Sequence, residues 1–396
     1  MTKTRWRGAV GGALLLVVGA CGSSKSTGSG TKSTTTVSVP AAVGKGEGAL
    51  NLIVWAGYAE SGQNDPKVDW VTPFQTKTGC QVNVKVGNTS DEMVQLMRTG
   101  EYDGVSASGD ATLRLIAAGD VAAVNPSLVA NYADISPFLK MTQYNSKNGV
   151  AYGIPHGWGA NLLMYNTDVV KPPPDSWGAV FDANSPYKGK ITAYDAPIYI
   201  ADAALYLMKT KPDLKITNPY ALDQTQFDAV VALLKTQHTL IGEYWNDYTK
   251  AQAAMEQGTT VLGTTWQVII NLAKDDKATV DAVLPKEGST AWSDTWMIAS
   301  KAKNPNCMYM WFDWITSPDV QAQVAEWFGE APANPKACPL ITDNPTFCDT
   351  FKATDQAFHS QLYYWTTPTE ECLDGRTNVK CVPFTEWQKA WTEIKG

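Results

Sequence analysis

Histidine is scarce in this chain, and basic charge is outnumbered. The 396 residues hold 3 His, and 32 Lys and Arg stand against 39 Asp and Glu, for a formal net charge of −7. Nucleic acid, whose phosphates call for a basic surface, is excluded as a natural partner. His156, His238 and His359 are isolated and no Cys-x-x-Cys occurs, so the spacing builds no metal centre. Catalytic signatures are missing too. Gly104-Val-Ser-Ala-Ser108 lacks the last glycine of a nucleophile elbow. There is no Gly-x-x-x-x-Gly-Lys loop to cradle a phosphate. Gly44-Lys-Gly-Glu-Gly48 has no strand before it, so it is no dinucleotide turn. No cofactor is implied. Internal repeats are absent. The one long apolar run, Ala9–Val18, is too short to span a bilayer as a stable helix.

What remains is a globular composition, 44% hydrophobic and 18% charged, long enough for two domains. The N-terminus reads as an export signal. Lys3, Arg5 and Arg7 precede the apolar run, and residues 1–20 end on small residues before Cys21. That ending resembles a bacterial lipobox, which implies cleavage before Cys21 and lipid on its thiol. Residues 21–48 are rich in Ser, Thr, Gly and Lys and read as a flexible tether. The body is then expected outside the membrane, held only by its N-terminal lipid. Setting Cys21 aside leaves an even six cysteines, which suits an exported chain. Six cysteines allow fifteen connectivities. Proximity favours Cys338–Cys348 and Cys372–Cys381, leaving Cys80–Cys307. Metal ligation is the competing use of these thiols.

Along the body, strand-like and helix-like segments alternate. Leu50–Trp55 and Gln81–Val86 read as strands, with a helix between them closed by Gly79. Thr89-Ser-Asp-Glu92 predicts a capping box at the start of the next helix. A short extended piece, Tyr102–Ser106, leads into a helix over Asp110–Ala118. This order predicts a mainly parallel sheet with helices on both faces, whose ligands sit beyond the carboxyl ends of strands. Trp55, Tyr58, Ser108 and Asp110 lie at such exits. Further on, Lys190–Tyr194 is a strand ending at Asp195, and Thr260–Trp266 delivers Trp266 to its end.

The chain is rich in aromatics, with 15 Trp and 16 Tyr. In Pro285–Ile298, Trp292, Asp294 and Trp296 are spaced by two, so an extended strand puts them on one face. Rings beside a carboxylate suit an organic cation, because the ring gives cation–π contact and the acid pairs the charge. A buried core strand is the plainer explanation of the same pattern. Asp195 and Asp294 as a hydrolase pair are also conceivable, although nothing sets their separation.

Several pieces occur in one order: Gly153-Ile-Pro-x-x-Trp-Gly, Tyr187-Lys-Gly189, Met255-Glu-x-Gly258 with Trp266, Pro285-Lys-Glu-Gly-x-x-x-Trp-x-Asp294 and Ser317-Pro-Asp-Val-Gln321. Together they resemble the extracytoplasmic solute-binding proteins of ABC importers, specifically the spermidine/putrescine-binding branch, from about Leu50 to Ala337. The resemblance implies an α/β, two-lobed periplasmic-binding-protein-like fold of type II, with a ligand cleft between lobes joined by crossing strands. It divides the chain into lobe 1 at 49–155, lobe 2 with crossing strands at both ends at 156–298, and a second part of lobe 1 at 299–396 that ends in a disulfide-stapled segment. It implies no enzymatic chemistry, a polyamine ligand, and an ABC permease and ATPase as partners. Residue by residue it carries ligand contact to Trp55, Tyr58, Ser108, Asp195, Trp266, Trp292 and Asp294. The family's second lobe-2 acid is Ile198 here, while Asp110 and Glu330 stand at aromatic positions. Trp296 is returned to packing, Tyr364 and Trp365 are placed near the cleft, and His156 is read as a turn residue beside the crossing. Another small solute is the alternative ligand, and a sensor reusing the fold is a further rival.

Overall fold

Strand and turn chemistry divides the chain between two large sheets and a separate two-stranded hairpin. The computed structural model describes residues 39–396. The signal, Cys21 and most of the expected tether therefore lie outside the described residues. In chain order the strands are β1 Ala49–Val54, β2 Gln81–Val86, β3 Gly104–Ser108, β4 Ser146–Lys147, β5 Val150–Ala151, β6 Ile154–Ala160 and β7 Leu162–Asn166. They continue with β8 Ile191–Tyr194, β9 Ile241–Trp245, β10 Leu262–Thr265, β11 Val280–Val283, β12 Ser289–Ile298, β13 Ala331–Pro332 and β14 Leu362–Tyr364.

The first lobe is built on the order β13-β6-β12-β3-β1-β2, with β14 added to β12. β2, β1 and β3 run parallel, as do β12 and β14. β12 returns antiparallel to β3 and to β6. The sheet is thus mixed rather than mainly parallel. The second lobe has the order β11-β7-β10-β8-β9, with parallel pairing on both sides of β8. β6 runs into β7, and β12 follows β11, so these paired strands carry the chain between the lobes. The two-lobed α/β fold expected from the sequence is present.

Local signals set the element ends. Gly79 and Gly119 close their helices at φ 73° and 71°, a conformation that costs glycine little. Thr89 accepts the Glu92 N–H, but the Glu92 carboxylate turns to Asn88, so only half of the capping box forms. Strands β9 and β11 carry no clean alternation and are absent from the sequence reading. Within the expected tether, Glu47 takes the backbone N–H groups of Asn306 and Cys307. A carboxylate there complements the positive end of helix Pro305–Ile315, so the chain docks on lobe 1 before β1 begins.

The three expected disulfides are formed: Cys338–Cys348 and Cys372–Cys381, favoured by proximity, and Cys80–Cys307, the pair these two left over. The C-terminal segment packs differently from the expected division at 299–396. Helix Phe384–Lys395 buries Trp387, Trp391 and Ile394 in the second lobe's core, beside Tyr199, Phe227 and Leu234. Arg376 reaches Asp223 and the Ala221 carbonyl of that lobe. Between them, Trp365 and Thr367 touch both β12 and Gly109 of lobe 1. The apolar stripe of the last helix found its partner in lobe 2, a match that spacing along the chain cannot reveal.

Candidate ligand-binding cleft

The register of β12 places Asp294 opposite Ser108, the last residue of β3. Ser108 Oγ donates to Asp294 Oδ1. Tyr58 Oη lies 2.5 Å from Asp294 Oδ2 and 2.7 Å from Glu330 Oε2. A phenol has one proton, so it donates to one carboxyl and accepts from the other, which must itself be protonated. Glu330 is that group. Burial, and then the Asp294 charge, push its carboxyl well above the usual range.

The surroundings agree. Asn334 N–H donates to Gln321 Oε1, which turns the Gln321 amide to donate to His156 Nδ1 at 3.1 Å. His156 Nε2 then carries the proton and faces Glu330 Oε1 at 3.4 Å. Burial drives the imidazole down to about 3, so it is neutral. The result is a hydrogen-bonded chain from Glu330 through Tyr58 to an ionisable Asp294, with His156 Nε2 beside Glu330 but outside hydrogen-bond contact. His156 is a buried strand residue in this arrangement, rather than a turn residue. Glu330 stands behind Tyr58, pressed on Gly157, rather than facing open space.

Asp294 itself is pushed up to about 6, chiefly by burial. The Ser108 and Tyr58 hydrogen bonds lower it, and the Asp110 charge raises it. Asp110 is also raised to about 6 by burial, eased by the Ser90 hydroxyl and by Arg114. Among the described residues no Lys or Arg forms an ion pair with Asp294, Asp110 or Glu330. Two buried carboxyls that interact with no cation in direct contact form a site that a positive ligand completes.

Facing them is a wall of rings. Tyr194, at the exit of β8, feels the charges of both Asp110 and Asp294. Its ring lies 5.5 Å from Trp266 and stacks on Trp365 at 5.7 Å. Trp266 meets Trp292 edge-on at 6.2 Å, and its indole N–H is held by Asn161 Oδ1. Trp292 lies over Gly159, where a Cβ would come within 2.6 Å of the indole. Phe328 closes the row between Trp292 and Tyr58. Trp55 is half-buried at the exit of β1, its amide on Ser106.

Of the residues singled out from the sequence, the structure brings Tyr58, Ser108, Asp110, Asp294, Trp266 and Trp292 together. Asp195 is engaged elsewhere: its Oδ1 accepts from Lys395 Nζ at 2.6 Å and from Trp391 Nε1 at 3.0 Å. Trp296 is fully buried against Trp311 and His156, as packing requires. Tyr364 packs on Trp158 and Phe138, whereas Trp365 reaches the ring wall. Tyr194, Asn161 and Phe328 were missed. Only Tyr194 carried a signal, since it ends a strand next to a residue already chosen. A separate cavity of about 130 Å³ lies between Leu162, Val283, Phe351 and Phe358. Its one charged lining residue is Lys352, the wrong sign for a cation.

Residues 69–348 match the family described as bacterial extracellular solute-binding protein. The chain belongs to this family. Its members bind solutes outside the cytoplasm rather than transform them, so the hydrolase alternative falls away. The spermidine/putrescine-binding periplasmic protein of Escherichia coli K12 is 26% identical over 307 residues, covering 74% of this chain and 84% of that protein. The putrescine-binding periplasmic protein SpuD of Pseudomonas aeruginosa is 24% identical over 306 residues, covering 74% and 80%. Among solved structures, the spermidine/putrescine substrate-binding protein PotD of Streptococcus pneumoniae superposes with a TM-score of 0.68 at 19% identity, covering 88% of this chain and 99% of that one. The binding protein MotA of A. tumefaciens, in complex with glucopine, gives 0.65 at 17% identity, covering 88% and 100%. These structures share the fold. Among the described residues no helix is long and apolar enough to cross a membrane.

Proposed function

We propose that this protein captures an aliphatic amine of the polyamine class for an ABC importer. The observation that carries the reading is the buried pair Asp294 and Asp110, charged on one side of the cleft and, among the described residues, in ion-pair contact with no Lys or Arg. An ammonium group entering there pairs with both acids, and its methylene chain lies along Trp266 and Trp292. Tyr58 and Ser108 hold the Asp294 carboxylate in place before the ligand arrives, which lowers the ordering cost of binding. The relatives named for spermidine and putrescine support this class of ligand. Closure of the lobes about β6 and β12 would exclude water from the pair and strengthen it.

The loaded protein would then present the amine to a permease driven by a cytoplasmic ATPase. Cys21 would carry a lipid that holds the protein on the outer face of the cell membrane. Calorimetry with putrescine, spermidine, spermine and agmatine, against neutral sugars, tests the ligand class. Heat from a sugar and none from any amine refutes it. Detergent-phase partitioning of Cys21→Ser tests the anchor: the variant moves to the aqueous phase if the thiol is lipidated and behaves as wild type if it is not.

A further inference from the structure

We infer that the cleft reads charge at one end only, so a second ammonium on the ligand adds little to its affinity. This deepens the amine reading above and rests on it. The acids free to meet a cation, Asp110 and Asp294, both belong to lobe 1. The facing surface is made of Tyr194 and Trp266 from lobe 2, Trp292 from the crossing strand and Trp365 from the C-terminal segment.

Lobe 2 does contain acids near this surface, but each has a partner. Asp195, next to Tyr194, is neutralised by the protein's own Lys395, with Trp391 as a second donor on the same oxygen. Helix Phe384–Lys395, which brings both, is anchored in the lobe-2 core through Trp387 and Ile394. It is also tied to lobe 1 by Gln388 on Asp91. Lys395 thus supplies from within the chain the charge that a ligand's far end would supply. Asp202 accepts from the Thr290 hydroxyl, which Asn161 holds in turn, and sits in the first turn of helix Ile200–Thr210. Burial keeps that carboxyl largely protonated below about 7.

A far ammonium therefore meets rings. A desolvated cation–π contact reaches roughly 2 kcal/mol, about thirtyfold in affinity. A buried ion pair is worth much more when one partner is removed.

The test is calorimetry at pH 6.5, where Asp110 and Asp294 are mostly charged and Asp202 mostly neutral, with n-butylamine, putrescine and spermidine on the whole chain and on Asp195→Asn and Asp202→Asn. One-ended recognition gives putrescine an advantage over butylamine below about thirtyfold. Neither variant then changes the ratio of the two amines. A larger putrescine advantage in the wild type overturns the inference while leaving the amine reading intact. So does a putrescine affinity that falls in either variant while butylamine is unaffected, since that locates a second acid. If none of the three amines binds, the amine reading itself fails and this inference falls with it.

Discussion

Replacing Asp294 by Asn removes one negative charge from the centre of the cleft and leaves the shape nearly unchanged. The amide can still meet Ser108 and Tyr58, its partners in the wild type. Two effects of opposite sign follow. For binding, the ligand's ammonium loses its ion-pair partner in a desolvated place. Truncation of a buried, hydrogen-bonded charge pair costs about 2–5 kcal/mol, or roughly thirtyfold to several thousandfold in Kd. For folding, the empty protein gains. Asp294 rises from 3.8 to about 6 on folding. Such a group binds more protons when folded, so its ionisation destabilises the folded state as pH rises from about 4 through 6. The cost reaches about 3 kcal/mol above that window, an upper figure for a coupled site. Asp294→Asn should thus unfold at higher urea concentration than the wild type at pH 7.5 and at a similar one near pH 4. Calorimetry and urea melts on the same preparations measure both effects. An Asp294→Asn protein that binds amines normally, or that is less stable at neutral pH, would refute the reasoning.

Three further outcomes are expected. Amine affinity should fall at least tenfold between pH 7.5 and 5, because Asp110 and Asp294 are both raised to about 6 and lose the charge that pairs with an ammonium; titration calorimetry at the two pH values checks it, and a flat profile removes both acids from recognition. Gly159→Ala should push the Trp292 indole aside, since the added methyl would sit 2.6 Å from the ring; tryptophan fluorescence and amine binding should change together, and an unchanged Kd would take Trp292 out of the site. Cys80→Ser with Cys307→Ser opens a bridge spanning 227 residues, which the chain-entropy account values at about 5 kcal/mol; urea denaturation against the wild type measures it.

Local chemistry was legible wherever neighbours in sequence are neighbours in space. Alternation on β12 put Trp292 and Asp294 on one face, and strand exits located Tyr58, Ser108 and Asp110. Short spacings paired Cys338–Cys348 and Cys372–Cys381. The missed strands β9 and β11 lack periodicity because their faces are unevenly buried. Resemblance to relatives supplied the two lobes and most of the cleft. It also misplaced Asp195 and the C-terminal helix, because the partner of that acid, Lys395, lies outside the stretch that carries the likeness.

The sequence alone therefore determined the two short-range cysteine pairs and the placing of rings beside acids on one strand, and its resemblance to a family determined the class of fold. Only the tertiary structure decided which acids remain free. Tyr58, Asp294 and Glu330 are separated by 236 and 272 residues from Tyr58, and Asp195 by 200 residues from Lys395. Whether a carboxylate is a binding group or half of an internal ion pair depends on what stands within about 4 Å of it. Distance along the chain holds no record of that.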